Sequence, residues 1–264
     1  MKNLKKYRLI WLAVCMLPVS AFALTADEIA QKVDDRDDGD NSISTMTMVL
    51  IDKFNEQRVR SMKTYSKDKG EDIQSVIFFL EPADVKNTAF LTYDYDNSDK
   101  DDDQWLYLPA LRKTKRIVSS DKSGSFMGSD FSYADMTKRN VDDYHYKIAK
   151  ESKVGDVDVW IMESTPKHQK TIDETGYSKS YMFVRKDNFV VTRAIHFLTD
   201  GKKKYLDVKK LEKIDNIWVA TTIEMKTTKN KQTLHEAILK IESIQFDQKL
   251  DDSFFSVRRI EKGL

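Results

Sequence analysis

Between residues 44 and 246 the chain alternates apolar and polar side chains with a period of two, in runs broken by short polar segments. In the first run Met46, Met48 and Leu50 alternate with Thr45, Thr47 and Val49; in a late one Ile217, Val219, Ile223 and Met225 stand opposite Trp218, Ala220 and Glu224. Successive side chains of a strand point to opposite faces, so each run predicts a β-strand with one greasy and one wet side. The runs place strands at roughly 44–53, 57–66, 72–81, 87–95, 104–109, 114–118, 143–152, 156–164, 179–186, 189–198, 203–213, 217–228 and 233–246. Connections such as Thr199-Asp200-Gly201-Lys202 and Lys229-Asn230-Lys231 are short enough for antiparallel hairpins. A meander of that many strands has to curl or close.

Two stretches break the period. Thr25 to Val33 opens with a capping pattern and places Ile29 and Val33 four apart, which predicts a short amphipathic helix ended by the acidic turn Asp34 to Asp40. Residues 118–141 are rich in Ser, Gly and Asp yet carry Phe126, Met127, Phe131, Tyr133 and Met136. A long loop with that many large apolar groups is expected to fold back over something.

The N-terminus changes the compartment. Lys2, Lys5, Lys6 and Arg8 precede an apolar run from Leu9 to Leu17, and Ala21 and Ala23 supply a small-residue cleavage pattern. This reads as a signal peptide over residues 1–23, leaving a mature chain 24–264 organised as one β domain, exported to the periplasm of a Gram-negative cell. The alternatives are a retained N-terminal anchor, or a lipidation box at Cys15 with bulky Val14 where a small residue belongs. Cleavage removes Cys15, the single cysteine, and with it disulfides and thiolate chemistry. The precursor carries 44 basic and 43 acidic residues; without the four signal-peptide cations the balance is 40 against 43, which implies no polyanionic partner such as a nucleic acid.

Chemistry-bearing motifs are sparse. His145, His168, His196 and His235 lack metal-ligand spacing, so no metal or cofactor is expected, and catalysis would need an unrecognised site involving Asp130 or His145. The acidic run Asp94, Asp96, Asp99, Asp101, Asp102, Asp103 fails the EF-hand rule, with Asp99 at the glycine position and Trp105 at the bidentate glutamate. Arg112, Lys113, Lys115 and Arg116 form a cationic segment that could meet lipid head groups or an acidic partner, or could protect an exposed edge strand. Methionines and aromatics crowd the first half. They suit either an ordinary core or a cavity that accepts acyl chains of variable shape, and periodicity does not separate the two.

The run Trp105-Leu106-Tyr107-Leu108-Pro109-Ala110-Leu111-Arg112-Lys113, followed by Ser119 to Tyr133 with its Ser-Gly-Ser-Phe-Met-Gly-Ser-Asp loop, resembles the outer-membrane lipoprotein-sorting, LolA-like proteins. Phe78 to Thr92 and Leu250 to Gly263 fit the same pattern. The loop resembles the branch associated with RND-type inner-membrane transporters. The resemblance implies a mainly β fold: an incomplete antiparallel β-barrel, or curled sheet, around an apolar cavity, lidded by short helices and a long loop. It implies a non-enzymatic carrier or chaperone that binds a lipid or lipoprotein acyl chains for transport between inner and outer membrane. An accessory subunit docking on an RND-type transporter without cargo is the alternative. On this reading Met46, Met48, Leu50, Phe79, Phe90, Trp105 and Tyr107 are the expected cavity wall. Phe126, Met127, Phe131 and Tyr133 are the expected lid, and Arg112, Lys113, Lys115 and Arg116 the head-group or partner contact.

Overall fold

The structure, a computed structural model, describes residues 23–264, so the signal-peptide expectation and Cys15 lie, Ala23 apart, outside the described residues. The chain opens with helix α1 (Ala26–Asp34), where the Thr25 side chain accepts the Glu28 backbone N–H and Glu28 accepts that of Thr25, a complete capping box. Six strands follow: β1 (Ile43–Asp52), β2 (Gln57–Lys69), β3 (Asp72–Glu81), β4 (Ala89–Asp94), β5 (Asp103–Leu108) and β6 (Lys113–Ile117). After a long connection come β7 (Tyr144–Val154), β8 (Val157–Pro166), helix α2 (Gln169–Thr175), β9 (Tyr177–Arg185), β10 (Val191–Leu198), β11 (Lys203–Ile214), β12 (Ile217–Lys229), β13 (Gln232–Gln245) and helix α3 (Val257–Lys262). Among the described residues no helix is long and apolar enough to cross a membrane.

All thirteen strands form one antiparallel, curled sheet that does not close into a barrel, in the order β6-β5-β4-β3-β2-β1-β13-β12-β11-β10-β9-β8-β7. It is two meanders rather than the single one the hairpin spacing suggested. The first and last strands pair at the centre, Met48 opposite Leu239 and Leu50 opposite Ala237. That seam sends β6 and β7, consecutive in the chain, to opposite edges. Residues 118–143 must therefore travel from one edge to the other, and they do so across the inner face, as a strap made largely of short 3₁₀ turns.

Three apolar clusters result. On the inner face of the first half, Met48, Leu50, Met62, Phe79, Phe90 and Leu106 pack beneath Phe126 and Phe131 of the strap. On the outer face, Val76, Phe78, Ala89 and Leu91 pack beneath Phe255 and Ile260 of the C-terminal segment. In the second half, Ile29 and Ala30 of α1 cover Met162, Met182, Val184 and Ala194. Strand β4 is buried from Ala89 to Thr92 because it is covered on both sides, the condition under which a strand stops alternating.

Candidate binding cavity and its strap

The strap is built as a small hairpin. Ser125 and Ser132 bridge, and the Ser129 N–H donates to the Phe126 carbonyl across a tight turn whose central residues, Met127 and Gly128, both have positive φ, 51° and 74°. Two consecutive positive φ values are the signature of a type I′ turn, which explains the glycine in the Phe-Met-Gly-Ser sequence. The turn turns Phe126 and Phe131 into the sheet, with the Phe126 ring 5.0 Å from Phe90, 5.8 Å from Tyr133 and 6.1 Å from Phe79.

Polar groups of the sheet hold the strap at both ends. Arg60 of β2, buried beneath it, donates to the Met127 carbonyl, and Gln104 of β5 donates to the Tyr133 carbonyl at 2.8 Å. The buried Asp130 carboxylate accepts from Thr227 of β12 and meets His235 Nδ1 of β13, each at 2.5 Å. Further along, Asp135 accepts from the Tyr177 hydroxyl at 2.9 Å and lies 3.7 Å from Lys204, while Arg139 donates to Ser164 of β8 at 2.6 Å. Burial with Asp135 alongside pushes the Tyr177 hydroxyl well up in pKa. His196 stacks on Tyr177 with ring centroids 4.3 Å apart and shares a 2.8 Å hydrogen bond with Ser180; its burial lowers its pKa to about 4, so it is neutral at pH 7.

Beside the strap lies a cavity of about 1150 Å³, at or above the ~300–1,000 Å³ of most small-molecule sites. Its apolar wall follows from the register. Met182, Ala194, Leu206, Met225 and Ala237 are successive cross-strand partners over β9 to β13, and the row continues to Leu50 of β1. A parallel row runs Val208, Ile223, Leu239, Met48. One apolar belt thus crosses the inner face; the strap's aromatics cover its first half, and Met182, Ala194, Leu206, Ile223, Met225 and Leu239 line the cavity, which α1 borders through Gln31, Val33 and Asp34. The remaining lining mixes further apolar groups, such as Ile73, Phe131, Val191 and Trp218, with a polar side that includes Asp94 and Asp102 under the acidic hairpin. Burial, with Asp102 nearby, raises the Asp94 carboxyl to about 7, and the Lys138 backbone N–H donates to it at 2.6 Å.

The residues singled out from sequence divide between these places. Met46, Met48, Leu50, Phe79 and Phe90 gather on the inner face, against Phe126, Met127, Phe131 and Tyr133. Trp105 and Tyr107 do not join them: with Tyr93 they pack in the outer cluster under α3, while Leu106 and Leu108 of the same strand point inward. Phe131 alone of the expected wall and lid borders the open cavity. In the cationic segment Lys115 pairs with Asp121 at 2.8 Å and Arg116 with Asp103, and Arg112 and Lys113 stand exposed next to exposed Leu111. His145 sits exposed on β7, and His235 rather than His145 meets Asp130. The cavity-lining residues of β9 to β13 were not assigned to a cavity from the sequence, although Met182 with Val184, Leu206 with Val208 and Ile223 with Met225 alternate; in β12 Trp218 and Ala220, expected opposite Ile223 and Met225, line the same cavity, because the β11–β12 ladder shifts register around Lys210.

An open, curled antiparallel sheet, strapped across its inner face and leaving an apolar cavity, is the fold of the LolA superfamily: a LolA superfamily protein from Nitrosomonas europaea superposes with a TM-score of 0.68 at 20% identity, over 89% of this chain and 99% of that one. A family model described as an uncharacterized protein matches residues 71–262. A DUF1329 family protein from Desulfovibrio piger is 33% identical with a TM-score of 0.81, covering 89% of this chain and 97% of that one. A domain from Vibrio parahaemolyticus named for outer membrane lipoprotein sorting is 31% identical, also at a TM-score of 0.81, covering 89% and 98%. A comparison with curated proteins finds no match. The chain belongs to the DUF1329 family, whose fold is LolA-like.

Proposed function

We propose that the protein is a non-catalytic periplasmic carrier that takes an acyl chain of a lipid or lipoprotein into the cavity, shields it from water, and passes it between inner and outer membrane. The observation that carries this reading is the continuous apolar belt, half covered by the strap's own aromatics and half facing a cavity of about 1150 Å³. The Vibrio parahaemolyticus relative named for lipoprotein sorting supports the cargo class. Burial supplies the affinity: at ~0.8 kcal/mol per methylene, about eight sheltered methylenes give ~6 kcal/mol before ordering costs. Uptake and release then require the strap or a partner to shift.

Native mass spectrometry with lipid extraction, on protein purified from periplasm without detergent, tests the proposal beside Leu206→Glu, which sets a charge on the cavity wall. A lipid bound to the wild type and lost from the variant is the expected result. A wild type that carries no lipid and takes none up on incubation overturns the carrier.

A second reading has support at the β6 edge, where exposed Leu111 stands 68% accessible beside Arg112 and Lys113, which make no ion pair among the described residues. Such a knuckle suits docking on an acidic surface of an RND-type transporter. In that case Arg112→Glu with Lys113→Glu abolishes transporter co-purification and leaves lipid content unchanged.

A further inference from the structure

The polar wall of the cavity has a definite sign. Eleven of its lining side chains are carboxylates and six are lysine or arginine. Of those six, Lys138 pairs with Asp34 at 3.6 Å, Lys122 with Asp102 at 4.0 Å, and Lys170 with Asp101. The other three face neutral groups and keep their charge, so the lining stands at six cations against eleven acids: Arg36 donates to backbone carbonyls, including that of Trp218, Lys100 lies 3.2 Å over the Tyr95 ring, and Arg139 lies 3.4 Å over the Tyr144 ring. Asp135 is matched by Lys204 from outside the lining. Seven carboxylates are left with no salt bridge among the described residues: Glu71, Asp96, Asp99, Asp142, Asp143 and Glu174, and Asp94, whose pKa burial raises to about 7 and which is thus only partly charged at neutral pH.

Two further observations decide what this negative wall addresses. Among the described residues no three histidine, cysteine or carboxylate side chains gather closely enough to chelate a metal ion, so the charge is spread along the wall and suits an organic cation rather than a bare one. The wall also shares one cavity with the apolar belt of Leu206, Ile223 and Leu239. A molecule filling the whole space needs an apolar tail on the belt and a polar head against carboxylates.

We propose that the cavity selects amphiphiles whose polar head carries a positively charged amine, and disfavours fatty acids and anionic phospholipids. This rests on the carrier reading above and names its cargo class. A carboxylate or phosphate head entering the cavity meets like charge: half-buried Asp143 and Glu174 repel it more strongly than they would in water, and exposed Glu71, Asp96, Asp99 and Asp142 add a weaker, salt-screened repulsion. An ammonium head there gains attraction from several carboxylates at once, each weak alone and additive in effect.

The test is competition, at neutral pH, between an uncharged fluorescent alkyl probe bound to the purified protein and three competitors of equal chain length: dodecylamine, dodecanol and dodecanoic acid. Dodecylamine should displace the probe at least about tenfold more tightly than dodecanoic acid, with dodecanol between them, and the gap should narrow as salt rises. Asp143→Asn combined with Glu174→Gln should narrow it further at fixed salt. Dodecanoic acid binding as tightly as the amine, or a gap insensitive to both salt and the double substitution, overturns the head-group assignment while the carrier stands. Failure of probe and all three competitors to bind overturns both.

Discussion

Replacing Phe126 by alanine tests whether the strap is a separately docked element. The side chain is fully buried, and three aromatic rings lie within 6.1 Å of its own. Truncating such a phenylalanine costs ~3–5 kcal/mol. The sheet's own ladder hydrogen bonds do not involve it, so the loss falls on the strap's docking equilibrium rather than on global unfolding. At 1.4 kcal/mol per factor of ten, local opening should rise between about 100-fold and a few thousand-fold. Three strap amides report it directly: Phe126 N–H bonded to the Phe131 carbonyl at 2.7 Å, Ser129 to Phe126 at 2.9 Å and Tyr133 to Gly124 at 3.1 Å. In native-state hydrogen exchange these should accelerate by that factor while amides of β8 to β10 keep their rates. Phe78→Ala is the control, since Phe78 is equally buried but on the outer face, and should instead lower the urea midpoint of the whole protein. Unchanged exchange at the three strap amides, or a loss spread evenly through the sheet, would refute the reasoning.

Two other outcomes follow from single side chains. Buried His196 has a pKa of about 4 against an ordinary 6.5, so between these values the unfolded chain binds a proton the folded one refuses; stability should fall by about 3 kcal/mol as pH drops from above 6.5 to 4, and urea midpoints of His196→Phe should show a flatter slope there. Gly39 has φ +87°, and a Cβ there would stand 2.2 Å from the buried Phe246 ring, so Gly39→Ala should cost ~1–3 kcal/mol, read as a lowered thermal midpoint.

The strands were legible because their signal is local. A period of two needs only neighbouring residues, and the thirteen runs coincide with β1 to β13 to within about three residues at either end. Helix α1 was legible for the same reason, through the Thr25 and Glu28 cap. Helix α2 was not, since His168 offers no side-chain cap, and six-residue α3 is too short to display a period.

Facing was harder. In β3 to β5 both sides of the sheet are covered, by the strap and by the C-terminal segment, so Trp105 and Tyr107 look as apolar as Leu106 and Leu108 while pointing the opposite way. In β9 to β13 alternation was clear, but which side is concave depends on how the whole sheet curls.

What the sequence by itself determined is thus the thirteen strands and helix α1, the LolA-like resemblance and the presence of a greasy loop between β6 and β7. Only the tertiary structure decided that β1 and β13 meet at the centre of the sheet. That pairing joins residues some two hundred positions apart, and no local pattern encodes it. Yet it alone throws β6 and β7 to opposite edges, stretches residues 118–143 across the inner face, and leaves the apolar belt of the second half open beside an acidic wall.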